Sequence, residues 1–204
     1  MTNVQDLRPR TPQAPAKMTL DMITTVANGL TLVRAVGAIF LATLLYTDTI
    51  DPAAAVIFFG VLALTDLLDG VYARHTNSAT PFGASIDPMA DKVLVASVLL
   101  ATLHTGLVPL LAIWLMLVRD IVTEWAKSWA VTQNSKPIAV LWLAKVKTAL
   151  QMVLCAMVLA HPFVASHTPN YAPFVGSTIW LLAWVTVGFT LWSAWGYLRA
   201  AFPQ

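Results

Sequence analysis

Charge is what this chain has least of. Only 11% of its 204 residues are Asp, Glu, Lys or Arg, against roughly a quarter in an ordinary soluble domain. That shortage excludes a surface built to face water on all sides, and no nucleic-acid partner is expected. Cysteine is nearly absent as well. The single Cys155 lies within an apolar stretch, which rules out an intrachain disulfide and a cysteine metal cluster and reads as a packed thiol. There is no low-complexity run and no internal repeat, and no connection is long enough to hold a separate soluble domain. Residues 1–22 are polar and proline-bearing, unlike a signal peptide. They read as a disordered cytoplasmic tail, with Lys17–Val26 as an alternative surface-lying amphipathic helix. Residues 23–204 form the remaining domain.

What the chain has instead is apolar length. Hydrophobic residues make up 58% of it, with eight tryptophans, and a helix crossing hydrocarbon takes about 20 consecutive apolar residues. Six such stretches can be read: Gly29–Tyr46, Pro52–Tyr72, Ser85–His104, Val108–Val131, Ile138–Ala160 and Phe174–Leu198. The fold class is therefore all-α, a polytopic membrane protein with six transmembrane helices. Asp51-Pro52 and Ser85 supply helix-start chemistry, and His161–Pro173, with its several prolines, reads as the longest outer loop. All twelve Lys and Arg fall in the N-terminal tail, after even-numbered spans, or at the adjoining helix ends. By the positive-inside rule both termini are cytoplasmic.

Four of the few carboxylates are concentrated in "TDLLDGVYARHTNSATPFGASIDPMADK", Thr65 to Lys92. At about 100° per residue, Asp66, Asp69, Gly70, Ala73 and Arg74 share one side of the second helix. Gly83, Asp87 and Asp91 recur every four residues on the third. Two carboxylate-bearing faces joined by a short loop repel in a site of reduced dielectric. Either some acids are protonated, as in a cation pathway, or divalent cations sit between them, which suits Mg²⁺ or Mn²⁺. The remaining reading is of loop residues and structural ion pairs, but charge at membrane depth is costly. The small residues leave room for a bulky ligand, and Arg74 offers charge to a phosphate.

As a pattern the stretch is D-x2-D-G-x2-A-R-x8-G-x3-D-x3-D, with all eight fixed positions filled. It resembles the signature of the CDP-alcohol phosphotransferase family. The resemblance implies six membrane helices, usually as a homodimer, a cavity open to the cytoplasm, and two divalent cations, Mg²⁺ or Mn²⁺. It implies Asp66, Asp69 and Asp87 as metal ligands, and Asp91 as both a ligand and the general base. Gly70, Ala73, Arg74 and Gly83 would line the CDP site beside Asp66 and Asp69. "ANGLTLVR" (Ala27–Arg34), "TPFGASIDPMADK", "VRDI" and "LAKVKTALQM" (Leu143–Met152) are similar to segments of the family's phosphatidylglycerophosphate and cardiolipin synthase branch, which adds Asn28 and Thr31 to the CDP-lipid site. Ala144 and Ala27 depart from the branch's usual glycine and proline without removing a chemical group.

The expected reaction is phosphatidyl transfer from CDP-diacylglycerol to glycerol 3-phosphate, releasing CMP, in the bacterial cytoplasmic membrane. The alternatives within the family are a cardiolipin synthase, with phosphatidylglycerol as acceptor, and a phosphatidylinositol-phosphate synthase. Outside it stands a cation transporter. A lone base at a span end reads as a snorkelling anchor, but Arg34, Arg119, Lys145 and Lys147 together favour an anion pocket. Arg119 and Lys145 rank first for the acceptor's phosphate. Lys147, roughly 160° from Lys145 on the wheel, ranks after them. Asp120 and Glu124 are expected to pair with neighbouring bases such as Lys127.

Overall fold

The computed structural model describes the backbone of residues 26–76, 92–132 and 142–201, and the side chains of residue 29 and of residues 31–65, 92–126 and 145–195. Those residues contain six α-helices and no strand. They are α1 (Val26–Tyr46), α2 (Pro52–Thr76), α3 (Lys92–Ala101), α4 (Leu110–Thr132), α5 (Trp142–His167) and α6 (Ala172–Ala201). Short 3-10 turns at Leu103–Thr105 and Pro169–Tyr171 join α3 to α4 and α5 to α6. The tail at 1–22 and the helix start assigned to Ser85 lie outside the described residues.

Local chemistry sets several boundaries. Asp51 caps α2: its Oδ2 accepts from the amides of Ala53 and Ala54 at 3.0 and 3.2 Å, with Pro52 in the first turn, where no donor is needed. Gly106 closes the turn after α3 at φ 66°, a left-handed conformation glycine adopts without strain. The expected loop at His161–Pro173 is shorter than its prolines suggest, because α5 runs through Pro162 to His167. Pro162 has no N–H to give the Val158 carbonyl, a loss that packed membrane helices tolerate.

All six helices contribute to one core. Ala38 and Leu41 of α1 meet Ala55, Phe59 and Leu62 of α2, and α3 brings Leu94, Val98 and Leu99. Ile113 and Met116, Leu154 and Val158, and Ile179 and Ala183 come from the last three helices. The sets recur at three- and four-residue steps, with Leu99 beside Val98 on α3, so each helix buries one stripe. Direct packing joins α1 to α2, α2 to α5, α4 to α6 and α5 to α6. A Cβ on Gly37 would stand 2.8 Å from a Leu62 methyl, so glycine sets how closely α1 and α2 approach, a common device between membrane helices.

The outside of the bundle is apolar. Leu32, Phe40, Ile57, Ile121, Trp125, Phe174 and Trp192 are all more than half exposed, whereas Arg34, Arg119, Asp120 and Lys147 are buried. Two helical stretches, Lys145–His167 and Pro169–Trp195, are long and apolar enough to cross a membrane. Greasy outside and charged inside is the distribution of a chain that associates with a membrane.

Candidate active site

The helices alternate in direction, and that alternation gathers the chemistry at one end of the bundle. Asp66 and Asp69 fall in the last turns of α2, Arg119 and Asp120 at the middle of α4 with Glu124 just beyond it, and Thr190 and Ser193 toward the end of α6. Arg34, Lys92 and Lys147 lie in the first halves of α1, α3 and α5. The opposite end carries a cavity of about 120 Å³ between Leu45, Pro52, Thr102 and Val158, with Asp48 and His104 also lining it.

On α2 the helix is continuous to Thr76, so Asp66 and Asp69 stand at a three-residue step and Gly70, Ala73 and Arg74 follow within the same turns. Because Gly37 faces Leu62 across antiparallel helices, one turn back along α1 brings Arg34 to the level of Thr65 and Asp66. Arg34 is fully buried and Thr31 is 2% exposed. Both share the inward stripe of α1 with Ala38 and Leu41, so Arg34 is not a snorkelling surface anchor. Gly83, Asp87 and Asp91 lie outside the described residues, as do the side chains of Asn28, Asp66, Asp69, Ala73 and Arg74. Among the described residues no three or more His, Cys, Asp or Glu side chains converge on a metal position.

The residue after Asp91 is described, and it is tethered. Lys92 forms an ion pair with Glu124 of α4, fixing the start of α3 against its neighbour. Glu124 therefore takes a base from the adjoining helix as a partner. Asp120 pairs both with a base on its own helix and with one on α5. Its Oδ1 accepts from Lys147 Nζ at 2.5 Å and from Arg119 Nη1 at 2.9 Å. The Lys127 side chain lies outside the described residues.

These contacts form a buried polar knot between α4, α5 and α6. Arg119 is 8% exposed, Asp120 5% and Lys147 4%. An unpaired charge at such depth is expensive, and mutual pairing is what makes it tolerable. Arg119 Nε donates to the Thr190 carbonyl at 3.0 Å, and Nη2 donates to Ser193 Oγ. Ser193 Oγ donates in turn to the Thr190 carbonyl at 3.0 Å. Thr123 Oγ1 bonds back to the Arg119 carbonyl at 3.0 Å, keeping its own hydroxyl satisfied. One carboxylate between two cations leaves a formal surplus of positive charge, the sign that an anionic phosphate requires.

The two α5 lysines lie in opposite surroundings. Lys145 and Lys147 do point apart, but Lys147 faces Arg119, while Lys145 is exposed. Sequence reading also missed three groups. Thr190 and Ser193 hold Arg119 from a span that looked generic, although hydroxyls at Thr186, Thr190 and Ser193 recur at helical steps in an otherwise apolar stretch. Gln151, one turn beyond Lys147, is 2% exposed, and its Nε2 has no hydrogen-bond partner among the described residues.

The family model described as CDP-alcohol phosphatidyltransferase matches residues 24–192, which include the acid-bearing α2, the Lys92 tether and the Arg119–Lys147 knot. The chain belongs to the CDP-alcohol phosphatidyltransferase family. Among curated relatives, CDP-diacylglycerol–glycerol-3-phosphate 3-phosphatidyltransferases from Shigella flexneri serotype 5b (strain 8401) and Escherichia coli (strain K12) are each 38% identical over 177 residues. The match covers 84% of this chain and 92% of theirs. As a phosphatidyltransferase of this class, the protein is a transferase of phospholipid biosynthesis.

The family is generally dependent on divalent cations. The donor chemistry here fits such ions: Asp66 and Asp69 stand one helical step apart on a continuous helix, and carboxylate oxygen is the donor that Mg²⁺ and Mn²⁺ prefer.

Proposed function

We propose that this phosphatidyltransferase joins the phosphatidyl group of CDP-diacylglycerol to the primary hydroxyl of glycerol 3-phosphate, giving phosphatidylglycerophosphate and CMP. The observation that carries the reading is the buried, cation-rich Arg119–Asp120–Lys147 knot at the same bundle end as the α2 carboxylates. It is supported by the likeness, over most of both chains, to enzymes named for that reaction. An acceptor with its own phosphate needs such a pocket beside the reacting centre.

Asp66, Asp69, Asp87 and Asp91 hold two divalent cations, Mg²⁺ or Mn²⁺, which when bound neutralise the pyrophosphate and polarise the phosphorus that bears the diacylglycerol. Gly70, Ala73 and Gly83 leave space for the cytidine diphosphate, Arg74 pairs with its charge, and Asn28 and Thr31 complete that wall. Arg119, Lys147 and Arg34 receive the acceptor's phosphate, and the amide of Gln151, one turn from Lys147, adds a donor. Lys145, on the exposed face of α5, contributes least to this pocket. Asp91 takes the proton from the acceptor's hydroxyl. The freed oxygen attacks the phosphorus in line, and the bond to the CMP oxygen breaks as the new ester bond forms.

All six helices cross the bilayer, with both termini and the site on the cytoplasmic side, and the protein works as a homodimer in the bacterial cytoplasmic membrane. The lipid tails stay in hydrocarbon while the headgroup meets a water-soluble acceptor. The test is CMP release from CDP-diacylglycerol by purified protein, with glycerol 3-phosphate, phosphatidylglycerol or inositol phosphate offered in turn. Turnover is expected with glycerol 3-phosphate. Preference for phosphatidylglycerol makes the protein a cardiolipin synthase instead, and ion flux in liposomes without CDP-lipid makes it a transporter.

A further inference from the structure

We propose that Ser193, together with the main-chain carbonyl of Thr190, is a positioning residue for the acceptor, so that the last helix is a working wall of the phosphate pocket. The inference rests on the reading of Arg119 as a ligand of the acceptor's phosphate.

The geometry is a fork held along one edge. Nε and Nη2 of a guanidinium project in parallel, and both are taken by α6: Nε by the Thr190 carbonyl at 3.0 Å and Nη2 by Ser193 Oγ. The Ser193 hydroxyl donates its own proton to the same Thr190 carbonyl at 3.0 Å, so its oxygen is oriented to accept from Arg119. Nη1 is directed to Asp120. Three contacts on three sides fix the plane of the guanidinium, and bidentate recognition of phosphate depends on that plane more than on charge alone. Ser193 is fully buried, as is Thr186 two turns earlier on α6. Thr186, however, spends its hydroxyl on its own helix, at the Leu182 carbonyl. Both hydroxyls donate to a carbonyl of their own helix, and of the two it is Ser193 Oγ that accepts from Arg119.

That difference supplies the experiment, with CMP release measured on purified full-length protein while each substrate is varied. Ser193→Ala is expected to raise the KM for glycerol 3-phosphate about tenfold, the size of one lost hydrogen bond to a charged group. The KM for CDP-diacylglycerol should stay within about twofold, since that substrate does not depend on Arg119. Ser193→Thr, which keeps the hydroxyl, should recover most of the acceptor affinity. Thr186→Val, which removes the other buried hydroxyl, should change neither constant.

A second arm guards against damage to folding. In an Arg119→Lys background the fork is already gone, so Ser193→Ala should add nothing further. A multiplicative effect there, an equal rise in both Michaelis constants, or an unchanged acceptor KM in Ser193→Ala overturns the positioning role. Absence of glycerol-3-phosphate-dependent CMP release by the wild-type protein overturns the functional reading itself and removes the premise. The two failures are therefore told apart by the wild type alone.

Discussion

Lys147 and Lys145 offer a direct comparison, because they are two residues apart on one helix and lie in opposite surroundings. Lys147 is 4% exposed and bonds to Asp120 at 2.5 Å. Lys145 is exposed. Replacing Lys147 with methionine keeps most of the side-chain volume and removes the charge. Asp120 then keeps Arg119 at 2.9 Å as a partner, so its carboxylate is not left alone in the interior. What is lost is one charge-assisted contact to the acceptor's phosphate, about 1.5–3 kcal/mol. That corresponds to a rise of about ten- to a hundredfold in the KM for glycerol 3-phosphate. Lys145→Met removes the same charge from an exposed position, where substitutions usually stay within about 0.5 kcal/mol, so its KM should shift by less than about threefold. Initial rates of CMP release across a glycerol 3-phosphate titration, at saturating CDP-diacylglycerol, measure both. If Lys145→Met raises the acceptor KM more than Lys147→Met does, the pocket lies on the other face of α5 and the reasoning from burial is refuted.

Other outcomes follow from the acids and their tether. Asp91→Asn should abolish turnover while much of the CDP-lipid binding survives, whereas Asp66→Asn should lose binding as well; equal loss in both would assign Asp91 to the metals rather than to proton transfer. Thorough chelation should stop CMP release, and Mg²⁺ or Mn²⁺ should restore it; undiminished activity without them would remove the basis of the carboxylate site. Glu124→Gln releases Lys92, the residue after Asp91. Because that pair is about one-third exposed, at 30% and 35%, the stability cost should be below about 1 kcal/mol. A drop in kcat of about two- to fivefold at little change in melting temperature would show that the tether aligns Asp91, and an unchanged kcat would show that it does not.

Several features were legible before any coordinates. The all-helical class follows from apolar runs of membrane length, and the helix start at Asp51-Pro52 follows from capping chemistry. The placement of Asp66, Asp69, Gly70, Ala73 and Arg74 within two turns of one helix follows from the 3.6-residue period. Prolines misled at His161–Pro173, because a proline removes one hydrogen bond but does not stop a helix that neighbours hold in place. Asp120 does pair with a neighbouring base, Arg119, but Asp120 and Glu124 also take Lys147 and Lys92 from adjoining helices. Spacing along one helix shows which bases are close in sequence, but not which cations of adjoining helices lie alongside.

The amino-acid order alone determined the family signature, the helical class and which residues share a helix face, since all of these depend on neighbours a few positions apart. It showed that Lys145 and Lys147 oppose each other, but not which of the two looks inward. Only the packing of α4, α5 and α6 decided that. Asp120 meets Lys147 across 27 positions and Arg119 meets Ser193 across 74, and contacts at such separations depend on how each helix is rotated within the bundle. That rotation is set by the summed burial of every stripe, a property no single segment carries.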